Sequence, residues 1–532
     1  MFRIRYATRS WGWCLLLCGL AGPALASDLG SVEFPTSGSP EAQEAFLEGV
    51  LWLHSFEYDD AREHFQRARE LEPSFVMAAW GEAMTYNYPI WMSQDREPAV
   101  EALNRLAATR EERLALAPTS RERRYLEAVE ILFGEGEKEE RDLAYSEAMK
   151  ALSEAHPGDL EAASLYALSL LGTCHEGRDV ATYMRAAAVV EEVFAKNPRH
   201  PGAAHYLIHS YDDPVHAPLG LRAARVYAGI APAAEHALHM PSHIFLALGM
   251  WQETVASNID SFNAAEARVK RRGQSSERRG YHAMLWLHYA YLQQGRLPQA
   301  DALLSSIQAD LETNDSERTR RHYAQMRAHD LVETERWDTQ RPSPDLEGLW
   351  QSVIAADHFV AGYGALRQGR LEAASNALAA LEGMEGEAGD DGADAEVAVA
   401  RLQLSGLIAL AGGREQEGLD HLLRAAKREE ETPFGYGPPL PVKPAHELLG
   451  EVLAELGQPE AAAGHFEQAL KRAPRRARSL RGLAGALCAA EGREAARDVL
   501  EVLAEVSRVV EVDDHAWPAA CGSPPAPSGS AS

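Results

Sequence analysis

Along most of the chain, apolar residues recur with helical spacing, and small and large side chains follow a fixed order. Small residues let two antiparallel helices approach closely, a large residue fills the seam between them, and a proline ends the second helix. The apolar and polar alternation that indicates strands is absent. The pattern therefore predicts an all-α fold of helix hairpins. The order is clearest within 443–474, at Gly450, Gly457, Ala462, Phe466, Ala469 and Pro474, and within 42–73, at Gly49, Trp52, Ala61, Phe65, Ala68 and Pro73.

Turn signals and changes in composition divide the chain. Glycine-containing turns at 293–300, 367–374, 411–418 and 490–497 mark further hairpins, so that about ten are predicted between residues 40 and 508. The segment GMEGEAGDDGAD predicts an exposed acidic loop, and TPFGYGPPLPVKP predicts a proline-stiffened connector. The predicted organisation is a leader at 1–26, an N-terminal extension at 27–39, a solenoid at 40–382, the acidic loop at 383–394, a further hairpin at 395–431, the connector at 432–444, C-terminal repeats at 443–508 and a disordered tail at 518–532.

These turn and packing residues resemble the tetratricopeptide repeat superfamily, strongly over 42–73 and 443–474 and loosely between them. The resemblance implies a right-handed α-solenoid whose concave groove binds a peptide or a small molecule. More narrowly, the segments FEYDDAREHFQRA, MAAWGEAMTYNYPIW, NPRHPGAAHYLIHSYDD and HALHMPSHIFLALGMW resemble an exported bacterial group of such proteins. The groove of this chain is poor in the lysine and arginine that form a basic clamp in binders of peptide carboxylates.

A pair of histidines one helical turn apart occurs twice, because His205 and His209 recur 34 positions later as His239 and His243. Histidines at i and i+4 share one face of a helix, and 34 residues is the length of a tetratricopeptide repeat. In the register of that superfamily the pairs take the fifth and ninth places, which line the groove. We therefore expect the four imidazoles to converge on one volume in the histidine-rich groove at 199–290.

The same register brings further polar residues to the groove wall. His236 and His282 take the second place of their repeats, and Asp212 and Asp213 take the twelfth and thirteenth. Residues at these places also line the groove in the superfamily. His288 takes the eighth place, which packs inside, so we expect it in the core.

Pro241 bears on this register because proline removes a helix hydrogen bond and is also favoured as the first residue of a helix. If a helix starts at Pro241, His236 and His239 lie in a loop, from which they can still supply ligands. Outside this segment, His54 and His64 flank the first turn, and we expect them at the surface or in the seam.

The histidines and the two aspartates suit a transition metal. Neutral imidazoles and carboxylates bind such ions at about 2.0–2.2 Å, and a mainly nitrogen set suits copper, iron, zinc or nickel rather than calcium or magnesium. Five or six imidazoles suffice for one ion or for two. The predicted metal ligands are His205, His209, His236, His239, His243 and His282, with Asp212 and Asp213 as further cofactor-binding residues.

Three functions fit such a groove, and the sequence leaves them open. A metal-dependent enzyme would use the ion to activate water or dioxygen, with Asp212, Asp213 and Glu235 nearby. A non-catalytic scaffold would bind a peptide or small molecule in the polar groove without metal. A periplasmic metal-handling protein is the third, although Met240 alone is a weak signal for reduced copper. Phosphate loops, nucleophile elbows and dinucleotide fingerprints are absent from the sequence.

The N-terminus has the layout of a secretory signal peptide. Arg3, Arg5 and Arg9 precede the apolar run 11–20, and Ala26 precedes the expected cleavage point. We therefore expect an exported protein, periplasmic or secreted. No later stretch reaches the roughly 20 apolar residues that a membrane span requires.

The charge of the chain limits the classes of partner that it can bind, and its cysteine content limits the disulfides that it can form. The net charge is −27 at pH 7, and about −30 once the three leader arginines are removed, which argues against binding nucleic acid or anionic lipid. Cys14 and Cys18 leave with the leader, so that Cys174, Cys488 and Cys521 remain. Export permits a disulfide, and the odd number leaves at least one thiol free or bonded to another chain.

Overall fold

The protein is an all-α helical repeat structure, as the hydrophobic pattern predicts. The computed structural model describes residues 28–339, 341–384, 393–507 and 518–522. The predicted leader, residues 385–392 of the predicted acidic loop and residues 523–532 of the predicted tail lie outside the described residues. Consecutive helices pack against each other along the chain, so that each hairpin covers the apolar face of its neighbours.

The N-terminal half consists of helices that alternate with short turns. Its helices are α1 (Pro40–His54), α2 (Tyr58–Leu71), α3 (Val76–Met84), α4 (Arg96–Asn104), α5 (Arg110–Ala115), α6 (Ser120–Leu132), α7 (Lys138–Ala155), α8 (Leu160–Leu171), α9 (Val180–Lys196), α10 (Pro201–Tyr211), α11 (Ala217–Ile230), α12 (Glu235–His239) and α13 (Pro241–Ala247).

The C-terminal half continues the arrangement with longer helices. Its helices are α14 (Trp251–Arg272), α15 (Tyr281–Gln293), α16 (Leu297–Thr313), α17 (Glu317–Thr334), α18 (Gln351–Arg367), α19 (Leu371–Gly383), α20 (Ala393–Ala411), α21 (Glu415–Glu430), α22 (Ala445–Glu455), α23 (Pro459–Arg472), α24 (Ala477–Ala490) and α25 (Arg497–Ser507).

Short elements complete the fold. A two-stranded antiparallel hairpin, β1 (Asn87–Tyr88) and β2 (Ser93–Gln94), follows α3 and pairs Asn87 with Gln94. The sequence pattern did not predict these strands, because two residues are too few to show alternation. The described residues also contain 3₁₀ turns at Pro89–Trp91, Ser276–Arg278 and Ala519–Cys521. No helix in the described part of the chain is both long enough and apolar enough to span a bilayer.

The predicted packing of small residues around a phenylalanine is present in both of the clearest repeats. Phe466 is buried, and a side chain added at Gly450 would contact its ring at 3.1 Å. Phe65 is equally buried, and a side chain at Gly49 would lie 2.7 Å from its ring. A side chain at Gly49 would overlap the ring, and one at Gly450 would require the ring to shift, so glycine at both positions permits the close approach of the two helices.

The C-terminal repeats fold back onto the middle of the chain. The indole nitrogen of Trp251 donates to the carbonyl oxygen of Arg475 at 3.0 Å, and the amide of Ala477 donates to the side-chain oxygen of Gln293 at 2.9 Å. Arg476 donates to the hydroxyl of Tyr289 at 2.8 Å. The helices α23 and α24 are thereby held against α14 and α15.

The N-terminal segment is held against the middle of the chain as well. The amide of Ser31 donates to the carbonyl oxygen of Arg199 at 3.0 Å, and Arg272 pairs with Glu63 at 2.7 Å. Phe34 is buried between Phe46 and other aromatic rings, at a ring-centroid distance of 5.1 Å from Phe46. The solenoid thus closes on itself, and its central helices α10 to α15 are enclosed from both ends of the sequence.

One of the three remaining cysteines is a free thiol, as their odd number predicts. Cys488 and Cys521 form a disulfide, and Cys174 is free and buried. Cys521 lies in the stretch 518–522, which the composition assigned to the disordered tail. The assignment was wrong for this stretch, because the covalent bond to α24 anchors it and Cys521 itself is buried.

Replacing Glu429 by glutamine is expected to stabilise the protein at pH 8 by about 1–3 kcal/mol, with no gain near pH 4. Burial raises the pKa of Glu429 from 4.5 to about 7. The folded state therefore holds a proton that the unfolded chain releases above pH 4.5, so stability falls as the pH rises from 4.5 to 7. Glutamine cannot ionise, so the variant does not lose stability in this pH range. Its side-chain oxygen can still accept the hydrogen bond that the amide of Ala445 donates to Glu429 at 2.6 Å.

Urea unfolding at the two pH values measures the effect. The exposed Glu431, which pairs loosely with Arg428, is the matched control, and its glutamine variant is expected to change stability by less than about 0.5 kcal/mol. A Glu429→Gln variant that is less stable than the wild type at pH 8 would contradict the prediction.

Candidate metal centre

Three of the predicted histidines meet where α10 faces α12. His205 and His209 project from α10 and are buried, and His236 lies one residue into α12. The Nε2 atoms of His205 and His236 are 3.2 Å apart, and one nitrogen from each of the three rings lies within 4.8 Å of the others. We call this group the upstream triad.

The other three predicted histidines form an equivalent group beside the first. His239 ends α12, His243 lies in α13, and His282 is the second residue of α15. The Nε2 atoms of His239 and His243 are 3.2 Å apart, and the ring centroids of His239 and His282 are 4.5 Å apart. One nitrogen from each ring again lies within 4.8 Å of the others. We call this group the downstream triad.

Pro241 allows this arrangement because it starts α13 without ending the helical path of α12. Met240, between the two helices, has helical backbone angles of −54° and −35°. His236, His239 and His243 therefore follow one another along a continuous helical surface. The alternative that His236 and His239 lie in a loop was wrong.

The two triads repeat the geometry of the solenoid. Each combines a histidine pair with i, i+4 spacing and one histidine near the start of the first helix of the next hairpin. The triads also contact each other, since the ring centroids of His209 and His243 are 5.4 Å apart and those of His236 and His239 are 6.1 Å apart. Six imidazoles thus occupy one continuous volume.

We call the facing Nε2 atoms of His239 and His243 their inner nitrogens and the Nδ1 atoms their outer nitrogens. Both outer nitrogens act as hydrogen-bond donors. The Nδ1 of His239 donates to the side-chain oxygen of Asn258 at 2.7 Å, and the amide nitrogen of Asn258 donates to the carbonyl oxygen of Thr254 at 2.8 Å, which fixes the orientation of that amide. The Nδ1 of His243 donates to a carboxylate oxygen of Asp212 at 2.9 Å. Neutral imidazole carries one proton, so both Nε2 atoms present lone pairs to each other.

Two lone pairs at 3.2 Å repel unless a proton or a metal ion lies between them. In the upstream triad, the Nδ1 of His205 donates to the carbonyl oxygen of His54 at 2.7 Å, so its Nε2 is also free to accept or to ligate. The Nε2 of His209 is buried and has no hydrogen-bond partner in the described part of the protein. The inner nitrogens are therefore arranged to receive a cation.

Five of the six imidazoles of the centre are held in their neutral form. Burial is the main cause that lowers their pKa values, and the neighbouring histidines lower them further. Neutral imidazole is the form that binds a metal ion, so no proton has to leave at neutral pH. The histidines whose pKa values are lowered are His205, His236, His239, His243 and His282.

Asp212 orients histidines of both triads. Besides its bond to His243, it lies 3.4 Å from the Nδ1 of His209, and it pairs with Arg178. Burial alone would raise the pKa of Asp212, but the guanidinium of Arg178 and the two histidines outweigh burial and hold that pKa well below its usual range. The carboxylate is thus ionised, and its charge is balanced by Arg178.

The second predicted aspartate has a different role. Asp213 accepts from the amides of Val215 and His216 at 2.9 and 3.0 Å, and from the Nδ1 of His216 at 2.8 Å. It therefore orders the turn before α11, and no contact with either triad is found among the described residues. The register placed Asp213 on the groove wall, but the chain leaves the helical register after Tyr211, where α10 ends.

The histidines do not line an open groove, contrary to the prediction from the repeat register. His205, His209, His239 and His243 are at most 3% exposed, whereas His236 and His282 are partly exposed. The register identified the correct face of each helix. The face is enclosed because the solenoid closes over it.

Two aromatic residues from distant parts of the sequence form a cover over the centre. Phe56 contacts the ring of His205 at a centroid distance of 4.3 Å, and Tyr436, from the connector before α22, stacks on His243 at 5.2 Å. Beside them, Trp286 of α15 stacks on His243 at 4.5 Å, and Gly437 packs against that indole so closely that a side chain there would lie 2.8 Å away. We refer to Phe56 and Tyr436 as the cover.

A separate buried group was missed at the sequence level. The Nε2 of His54 donates to a carboxylate oxygen of Glu161 at 2.6 Å, and the Nε2 of His200 lies 3.0 Å from the other oxygen of Glu161. His54, expected at the surface or in the seam, is only 1% exposed, because α1 packs against α10. His64, by contrast, is half-buried. An i, i+4 pattern could not reveal the group, since its residues lie on three separate helices or turns.

The hydrogen bonds of this second group are complementary without a metal ion. The Nδ1 of His200 accepts from the amide of Ala203 at 3.1 Å, so its Nε2 carries the proton that is donated to Glu161. The Nδ1 of His54 accepts from the hydroxyl of Tyr206 at 2.8 Å, so its Nε2 also donates to Glu161. Each hydrogen-bond donor in the group therefore faces an acceptor, and each acceptor faces a donor. The group is a structural network, and the triads are the candidate metal centre.

The packed hairpins and the six converging imidazoles define the class: an all-α helical repeat protein with a buried histidine centre. No family model matches the chain, and no curated protein matches it.

Solved structures with partial similarity are helical repeat proteins. The human IFIT1 dimer with m7Gppp-AAAA is 14% identical over 90% of this chain and 91% of its own, with a TM-score of 0.35. A Rap protein complexed with competence and sporulation factor is 13% identical over 74% and 99%, with a TM-score of 0.38. Yeast Tom70 is 12% identical over 88% and 92%, with a TM-score of 0.28. At these values the similarities carry no argument about function.

Proposed function

We propose that the protein binds a transition metal at the six-histidine centre. The observation that carries the proposal is the pair of inner nitrogens of His239 and His243, which face each other at 3.2 Å while both outer nitrogens donate elsewhere. A bound cation removes the repulsion between their lone pairs. All six candidate ligands are nitrogen donors, which supports copper, iron or zinc over calcium and magnesium.

The proposed setting is outside the cytoplasm, in keeping with the signal-peptide layout of residues 1–26. Whether the bound ion serves catalysis or metal handling depends on what can reach it. The partial exposure of His236 and His282 supports an opening on that side for a small reactant. We therefore favour a metal-dependent enzyme as the specific function, with metal handling without catalysis as the more general alternative.

A second candidate function is ligand binding away from the histidines. The C-terminal repeats enclose an open cavity of about 660 Å³, lined by Tyr363, Glu451, Phe466 and Arg478 among others. Its mixture of charged and aromatic side chains would suit a peptide or small polar molecule. This function requires no metal.

Metal analysis of the purified full chain separates the two candidates. We expect at least one copper, iron or zinc ion per chain after expression with those metals supplied, and a rise in melting temperature relative to chelator-treated protein, because a ligand that binds only the folded state stabilises it. Absence of bound metal under every loading condition would refute the metal function and favour the C-terminal cavity as the binding site.

A further inference from the structure

The duplication of the histidine triad determines how many ions the centre holds. We propose that the centre binds two copper ions, one in each triad, and that the pair in its Cu(I) state takes up dioxygen. This inference rests on the proposed metal function and specifies its stoichiometry, its metal and its reactant.

The six imidazoles fall into two groups, each of which can hold one ion. Metal–nitrogen bonds to imidazole are about 2.0–2.1 Å long, whereas neighbouring helices lie about 8–10 Å apart. His209, Asp212 and His243 also lie within ligating reach of one another, but Asp212 already pairs with Arg178, so we assign one ion to each triad. Each triad by itself gathers three nitrogens within 4.8 Å, which is the span that a single ion can bridge. Contact between His209 and His243 then brings the two ions close together, as in other two-metal sites.

The charge of the site favours Cu(I) over doubly charged ions. Each triad supplies three imidazole donors, and the carboxylate of Asp212 forms an ion pair with Arg178. Burial of ions in this volume costs less free energy when each carries a single charge. Three imidazole nitrogens can complete the ligand set of Cu(I), whereas zinc with three histidine ligands takes water as a fourth ligand. Non-haem iron sites commonly include a coordinating carboxylate, and the nearby carboxylate, Asp212, already pairs with Arg178.

The position left open on each ion gives room for a small reactant shared by both. When dioxygen binds between two Cu(I) ions, each ion gives up one electron and becomes Cu(II), and dioxygen accepts both electrons to become peroxide. Electrons and charge balance without a proton or an external reductant. Phe56 and Tyr436 pack against the rings of His205 and His243 and restrict access by larger molecules. His236 and His282 keep a partly exposed surface, and a diatomic gas is small enough to reach the ions there.

Titration of the copper-free full chain with Cu(I) under anaerobic conditions tests the stoichiometry. We expect two Cu(I) per chain, followed by uptake of one dioxygen per two copper ions on exposure to air. The product is expected to show an intense near-ultraviolet charge-transfer band and no electron paramagnetic resonance signal, because two adjacent Cu(II) ions couple. Binding of one Cu(I) per chain would contradict the two-ion proposal but not the proposed metal function. If no metal binds, both the two-ion proposal and the metal function are wrong. Two ions that oxidise to uncoupled Cu(II) would overturn the dioxygen step.

Single substitutions assign each ion to its triad. His236→Ala and His282→Ala are each expected to retain one Cu(I) and to lose dioxygen uptake, because each removes a ligand from one triad only. His216→Ala is the matched control, since His216 lies nearby but contacts Asp213 rather than the triads, and it is expected to bind two. Circular dichroism verifies that each variant is folded. Two ions retained in either triad variant would overturn the assignment.

Discussion

Replacement of both His205 and His239 by alanine is expected to weaken metal binding by at least about 100-fold, because loss of an orienting partner alone costs 10–100-fold and a direct ligand contributes more. The double substitution removes one ligand from each triad, so neither ion keeps three donors. The metal-dependent rise in melting temperature should disappear with it. Metal content after dialysis and melting temperature with and without added copper measure both effects.

The control for this variant is His288→Ala, on the same helix as His282. His288 is fully buried and belongs to the core beside Asp330, as its place in the repeat predicted, and it touches neither triad. Its removal leaves a cavity and should cost about 2–4 kcal/mol of stability while the metal stays bound. Equal metal content in the wild type and the His205/His239 double variant would exclude the centre as the binding site.

Arg476→Ala is expected to destabilise the protein by about 3–5 kcal/mol, the typical cost of removing one partner from a buried ion pair. Arg476 is fully buried, donates to Glu447 at 2.7 Å and to Tyr289 at 2.8 Å, and forms an ion pair with Glu333 at 2.5 Å. The variant leaves the two carboxylates buried without this cation. Because Arg476 also ties α24 to α15, the closure of the solenoid should weaken at the same time.

Urea unfolding, followed by circular dichroism, measures this loss. Arg414→Ala is the matched control, because its partner Glu417 lies 2.9 Å away and both side chains are about half exposed, so the pair should contribute less than about 1 kcal/mol. A change in stability below about 1 kcal/mol for Arg476→Ala would show that the buried network is not what joins the C-terminal repeats to the middle of the chain.

The sequence predicted the hairpins and the histidine faces because both depend on local spacing. Glycine and phenylalanine positions set the hairpin geometry, and i, i+4 spacing sets which helix face a histidine occupies. The register also placed His236 and His282 with the two pairs, although neither is part of an i, i+4 pair of its own. The expectations of export and of no binding to nucleic acid stay predictions.

The enclosure of the centre could not be predicted in the same way. Each hairpin adds a small rotation to the solenoid, and only the sum over many hairpins decides whether distant segments meet. Phe56 and Tyr436 carry no local signal that they cover histidines near residues 205 and 243. The network of His54, Glu161 and His200 was missed for the same reason, since its members come together only when α1 reaches α10.

The closure of the solenoid has a consequence for the order of folding. The six histidines lie on consecutive hairpins, so short loops bring them together at a low cost in entropy. Phe56 and Tyr436 reach them only after segments from opposite ends of the sequence have met, which is a slower step. The triads are therefore accessible to water and to ions while the chain is still folding. Under the proposed metal function, ions bound at that stage would become enclosed, and we expect metal to enter the folding chain faster than it exchanges from the finished protein.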